Sequence, residues 1–197
     1  MTNAQIDTIT GTAIPLRGNN IDTDRIIPAR YLKAITFDGL GEHVFEDDRV
    51  SMAAHPFSNP VYGGASILIG NENFGSGSSR EHAPQALKGW GIAACIAESF
   101  AEIFLGNSLA IGLPCATASH GDVEQLMALV EETSGVLLTV SVSARRVRAG
   151  DATVDLCISD GVRQALLNGH WDATGLLLDR FDEVRAVATR LPYIGGF

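Results

Sequence analysis

Cysteine is scarce in this chain: Cys95, Cys115 and Cys157 are the three in 197 residues, and no two stand close in sequence. That excludes a framework of paired disulfides and offers no C-x-x-C spacing of the kind that holds zinc or an iron–sulfur cluster. Buried, reduced thiols are the expectation. Positive charge is also short, with 14 basic against 23 acidic residues and a net charge of −9. Such a field repels polyanions, and no basic stripe is present, so neither nucleic acid nor an anionic membrane surface is an expected partner. No apolar run approaches the roughly 18 residues of a membrane span, and Met1 to Thr10 carry neither a basic n-region nor an apolar h-region. A cytoplasmic chain is expected. The five histidines form no metal-type spacing with cysteines or acids, so no metal site is expected.

What is present suits a globular α/β domain. The hydrophobic fraction is 46%, the charged fraction 19%, and the 21 glycines imply many tight turns or close backbone approaches. Residues 10–16 alternate weakly and read as a strand, 65–69 and 92–97 read as buried strands, and 113–118 is a further strand candidate; helices are predicted from Ser78 or Ser79 to about Lys88, after a cap at Ser99 with Glu102 in capping-box spacing, and over 122–132. In the last of these, Val123, Leu126, Met127 and Val130 share one face. Strands alternating with helices argue for parallel βαβ units. Beyond Gly135 the pattern changes to apolar–polar alternation over 136–142, 145–148 and 153–158, with a turn at Ala149-Gly150-Asp151, which is an antiparallel hairpin signal. Helices over 160–168 and 179–190 close the chain. The stretch from 34 to 60 is broken by Gly39, Gly41, Pro56 and Pro60 and reads as a mobile loop near a site or a partner.

The segment richest in chemistry is Gly70 to Pro84: a strand end, a glycine-rich turn, then Ser78, Ser79 and Arg80 ahead of a helix. A helix start with free N–H groups attracts anions, glycines let backbone approach a ligand, and an arginine grips a carboxylate with two parallel bonds. A serine oxygen beside such donors has its anion favoured, as a base must when it removes a proton next to a carboxylate. Helix capping by the serines and a surface ion pair for Arg80 would explain the same residues. Known phosphate and acyl-transfer patterns do not apply: Arg80 stands where a dinucleotide fingerprint needs its third glycine, no lysine completes a Walker A loop, and no serine has glycine two residues away on both sides. His82, three residues beyond Ser79, reads as a packed or capping histidine or as a group on the same face.

Three runs carry a family resemblance. Phe74-Gly75-Ser76-Gly77-Ser78-Ser79-Arg80-Glu81-His82-Ala83-Pro84, Asn20-Ile21-Asp22-Thr23-Asp24-Arg25-Ile26-Ile27-Pro28, and Ser99-Phe100-Ala101-Glu102-Ile103-Phe104 with Gly106-Asn107 stand in the order and spacing of the isopropylmalate dehydratase small subunits. The chain resembles that family, within the aconitase superfamily, over nearly its whole length. The resemblance implies a single swivelling β/β/α domain over residues 1–197, with an antiparallel hairpin and C-terminal helices. It implies that Ser78 is the base, that Ser79, Arg80, Asp24 and Thr23 bind substrate, and that the loop containing Lys33 reads the substrate's variable side group. It further implies a small dicarboxylate substrate and a large-subunit partner that holds the [4Fe–4S] cluster, with no cofactor in this chain. Departures from the pattern are Lys33 and Phe37 in the side-group loop and Ser76 in place of a frequent cysteine.

Overall fold

The computed structural model describes residues 5–133 and 135–194, so the ends and residue 134 of the proposed 1–197 domain lie outside the described residues. One seven-stranded sheet runs through the molecule in the order β4-β3-β2-β1-β5-β6-β7. Strands β1 (Thr8–Leu16), β2 (Ile67–Gly70), β3 (Ala94–Ala97) and β4 (Cys115–Thr117) are parallel neighbours. β2 and β3 are buried along their full length, which is why they read as unbroken apolar runs rather than alternations. On the other edge, β5 (Leu137–Ser141), β6 (Arg146–Ala149) and β7 (Ala152–Asp155) add antiparallel strands that alternate exposed and buried residues. The β6–β7 hairpin closes through Gly150 at φ +58, as the Ala-Gly-Asp run implied.

Helices cover both faces. The short α1 (Thr23–Ile26) and α2 (Glu46–Ser51) lie in the β1–β2 crossover. α3 (His82–Trp90) and α4 (Glu102–Ala110) follow β2 and β3. Their apolar residues form one core, including Ile26, Phe45, Leu68, Phe74, Leu87 and Phe104. α5 (His120–Glu132) packs against the opposite face with Val123, Leu126, Met127 and Val130 buried, the face its spacing predicted. Each such side chain withdrawn from water contributes about 1.5–3 kcal/mol, so α5 is held by packing rather than by propensity. Ser119 caps α5, and Ser159 caps α6 (Asp160–Asn168), which Gly169 ends in the left-handed conformation.

Several boundaries differ from the sequence reading. α3 begins at His82, because Gly77 at φ +95 keeps the backbone of Ser78 and Ser79 in an exposed bend. α4 has Ala101 at its cap, and Ser99 instead accepts a hydrogen bond from Asn73 N–H at 2.8 Å. The C-terminal region holds one helix more than expected: α7 (Ala173–Asp179), capped by Asp172 onto Gly175 N–H, precedes α8 (Phe181–Ala188). A glycine inside α7 hid it from the propensity pattern. Neither α7 nor α8 buries a residue, and Leu177, Leu178, Phe181 and Val187 are largely exposed. Within 34–60 the chain forms short turns of helix that bury Leu40, Val44, Phe45, His55 and Phe57.

The cysteines that stand far apart in sequence come together in the sheet. Cys95 and Cys115 are register partners on β3 and β4, and Cys115, together with burial, pushes the Cys95 thiol well above its ordinary range. Both are buried, and Cys95 is thereby unsuited to act as a thiolate.

His55 is the buried titratable group of the α2 region, at 1% exposure. Burial, the largest influence, holds its imidazole below the ordinary value, with Arg25 and Arg49 acting in the same sense against Asp48. The folded state therefore binds fewer protons than the unfolded chain near pH 6.5, and stability falls as pH drops through that value. His120 acts oppositely: its bond to Glu98 raises its value, so it adds stability as pH falls. Thermal unfolding between about pH 7.5 and 5.5 should therefore lose less stability on acidification in His55→Asn than in the native chain, and more in His120→Gln. Equal slopes in all three proteins would contradict the assignment.

Candidate functional site

The site is assembled by the loops that leave the carboxyl ends of β1 and β2. Asp22 caps α1, accepting from Arg25 N–H at 2.8 Å, and so fixes the helix that presents Asp24. Residues 20–23 then run beside 72–76. Asn20 N–H donates to Glu72 O at 2.9 Å, Gly75 N–H to Ile21 O at 2.7 Å, and Thr23 N–H to Ser76 O at 2.8 Å. The third motif joins the same turn: Phe74 N–H donates to Ser99 O and Ala101 N–H to Phe74 O, both at 3.0 Å.

Gly75 makes this meeting possible. It sits at φ +77, and a Cβ there would lie 2.3 Å from the ring of Phe104. That ring packs edge-on to Phe74 and stacks with Phe100, so it cannot withdraw without disturbing an aromatic group that is itself largely enclosed.

On this platform stand the residues that the sequence singled out. Arg80 forms an ion pair and a hydrogen bond with Asp24, and its second terminal nitrogen donates to Ser78 Oγ at 3.4 Å. Thr23, 2% exposed, donates its hydroxyl to the backbone carbonyl of Ser78 at 3.2 Å. The Arg80 side chain is 16% exposed whereas Asp24 is 53% exposed, so the guanidinium is held in the wall and the carboxylate faces outward. Ser78 and Ser79 are exposed in the bend ahead of α3. Ser78, Arg80, Asp24 and Thr23 are thus brought together. Lys33 is not joined to them: it ends a helical turn, is exposed, and makes no ion pair or hydrogen bond with the group. The adjoining loop does reach α3, where the Phe37 ring meets His82 edge-on at 5.1 Å.

One expectation changes. The start of α3 offers few free donors, since Ala83 N–H is directed to Arg80 O at 3.3 Å and Pro84 has none. The donors this turn exposes are therefore Arg80 and the serine hydroxyls rather than a helix terminus. A second polar group was not legible in advance. Glu98, His120 and Glu124 have donor atoms within 4.8 Å of one another at the ends of β3 and α5. The one signal was the His120–Glu124 spacing of four on a helix, since Glu98 comes from another element. Asn71 donates to both carboxylates and Arg17 to Glu124, so these acids already have partners.

The comparisons with known proteins give the family and the fold. Residues 3–118, spanning β1 to β4 and all three motifs, match the Aconitase C-terminal domain. A 3-isopropylmalate dehydratase small subunit from Synechocystis is 50% identical over 192 residues, covering 97% of this chain and 96% of the relative. The chain belongs to the family of 3-isopropylmalate dehydratase small subunits. A second member, from Thermus thermophilus, is 48% identical over 189 residues and covers 94% of both chains. A crystal structure of 3-isopropylmalate dehydratase from Methanocaldococcus jannaschii superposes with a TM-score of 0.67 at 26% identity, covering 89% of this chain and 99% of that one. The fold is therefore the aconitase-type α/β arrangement, here with antiparallel strands β5 to β7 and helices α6 to α8 beyond the part matched by the domain family. Among the described residues no helix is long and apolar enough to cross a membrane.

Gly75→Ala should destabilise the chain by about 2–4 kcal/mol, combining a left-handed backbone with an overpacked ring. Urea unfolding measures it, and the double variant with Phe104→Leu should recover part of the loss. Additive losses would mean that the ring is not what excludes a side chain at this position.

Proposed function

We propose that this chain is one half of a hydro-lyase, isomerising 2-isopropylmalate and 3-isopropylmalate through isopropylmaleate in the cytoplasmic synthesis of leucine. The observation that carries the proposal is the contact of Arg80 with both Ser78 and Asp24 in an open turn built from two of the family's motifs. In this reading Ser78 Oγ removes the proton from the carbon next to a substrate carboxylate. Arg80 favours the anionic serine by donating to it, and grips that carboxylate as negative charge moves onto it. Asp24 holds the guanidinium in its plane and direction, Thr23 fixes the Ser78 backbone, and Ser79 offers a hydroxyl to the substrate. Lys33 and its loop, with the rest of 34–60, lie over the variable side group and against the partner.

The family name implies a large subunit, and we assign the cluster to it. This chain's own thiols do not suit that role: Cys95 and Cys115 are buried side by side in the sheet, and Cys157 is exposed opposite Thr117. When bound in the partner, a [4Fe–4S] cluster supplies a Lewis acid for the departing hydroxyl. The whole chain acts as one swivelling domain against that partner, without nucleic acid or membrane.

The test is to mix the chain anaerobically with the cluster-loaded large subunit and follow isopropylmaleate absorbance from 2-isopropylmalate. Turnover is expected in the mixture and not from either half. Ser78→Ala in the assembled complex should lower kcat by about 10²–10⁴-fold with KM little changed. Full turnover by that variant would remove the serine from the base role. A formed complex inert toward 2-isopropylmalate yet active on another malate-type acid would instead point to a sister hydro-lyase.

A further inference from the structure

Between the turns Ala29–Lys33 and Leu40–His43 the chain makes a loop in which no side chain from 32 to 39 is buried. Its exit stem is seated in the core: Leu40 and Gly41 are buried, and a Cβ on Gly41 would lie 2.2 Å from the backbone of Gly89 in α3. Its entry stem, Ala29–Lys33, buries no residue. The entry is tied to the exit by side chains instead. Arg30 places its two terminal nitrogens on the Asp47 carboxylate, at 3.0 and 2.8 Å, and one of them also on Glu46 at 2.5 Å. The Tyr31 hydroxyl donates to the same Glu46 carboxylate, and the Tyr31 ring stacks on His43 with centroids 4.0 Å apart. His43 Nδ1 stands 3.6 Å from the other Glu46 oxygen. Three side chains thus converge on Glu46. Its carboxyl is held below the usual range, first by the Tyr31 hydroxyl and then by Arg30, and it in turn keeps Tyr31 a protonated donor. An isolated ion pair of this exposure adds little stability, but a network with a two-pronged arginine and a stacked ring narrows the geometry open to the stem.

On the reading of the site given above, we propose that Glu46 is a positioning residue for substrate selection. By closing the loop at its base it holds residues 33–37 beside the Ser78–Arg80 turn, where they meet the substrate's variable side group. The far limb of the loop is placed by the Phe37 ring, which meets His82 at the start of α3, two residues beyond Arg80. Lys33 to Phe37 therefore span from a fixed base to the candidate site, with Ile35 fully exposed between them. A loop free at its base would lose ordering entropy at each encounter and would fit a methyl group nearly as well as an isopropyl group. Glu46 touches no reacting atom. It acts through Tyr31 and Arg30.

The experiment compares 2-isopropylmalate with 2-methylmalate as substrates of the complex assembled with the cluster-loaded large subunit, following the absorbance of each alkene. In Glu46→Ala the ratio of the two kcat/KM values should fall at least about fivefold, carried by a higher KM for 2-isopropylmalate, with kcat within about twofold of native. Glu46→Gln, whose side-chain carbonyl still accepts from Tyr31 and Arg30, should keep most of the native ratio. Tyr31→Phe deletes the hydroxyl and keeps the ring; it should lower the ratio in the same direction, and it decides the matter if thermal unfolding shows Glu46→Ala to be misfolded. A native ratio in both Glu46→Ala and Tyr31→Phe would overturn the proposal. So would an equal loss of kcat on both acids, which marks a general disturbance. A weaker complex with the ratio intact would assign the loop to the partner interface and would overturn it too. A native complex inert on both acids would instead bring down the proposed reaction, and this role for Glu46 with it.

Discussion

The site depends on a short backbone zipper between two loops. Ile21 to Thr23 and Gly75 to Ser76 exchange N–H···O bonds just beyond β1 and β2, where the sheet has stopped pairing them. Each bond is worth about 1 kcal/mol net, but together they set the distance between Asp24 and Arg80. The zipper can close because residue 75 has no side chain, with the Phe104 ring in the space a Cβ would need. Core packing beneath the turn and chemistry above it are thus one constraint.

Around that zipper the fold divides its labour. Four parallel strands, of which β2 and β3 are buried along their full length, align the carboxyl ends from which the loops emerge, in the manner of open α/β sheets that bind ligands at this edge. The antiparallel strands β5 to β7 widen the sheet and give the α5 face its core. They lie outside the part that matches the aconitase domain, and the described site draws no residue from them. The parallel half carries the candidate site and the other half adds core and sheet.

Arg80 links two electrostatic tasks. It is held in the wall by Asp24 and still reaches Ser78, so in the proposed reaction a substrate carboxylate would meet a guanidinium already oriented. Preorganisation of this kind avoids an ordering cost at the moment of binding. His55, Arg25 and Asp48 form a separate polar layer behind α1, where burial sets the histidine's protonation state.

By itself the sequence determined the strands β1 to β4, the buried face of α5, the antiparallel end, and the residues to watch: Ser78, Ser79, Arg80, Asp24 and Thr23. These rest on local periodicity and on contiguous motifs, which a linear reading can see. It did not determine where α3 begins, because the serines before it are equally good helix caps and the left-handed Gly77 decides otherwise. It concealed α7, whose glycine breaks the pattern that its Asp172 cap restores. The pairing of Cys95 with Cys115, the Glu98–His120–Glu124 group and the Phe104 ring under Gly75 join residues from different elements. No spacing along the chain encodes such contacts. They exist because the parallel crossovers bring strand ends side by side, and only the tertiary structure fixes which side chains then share a space.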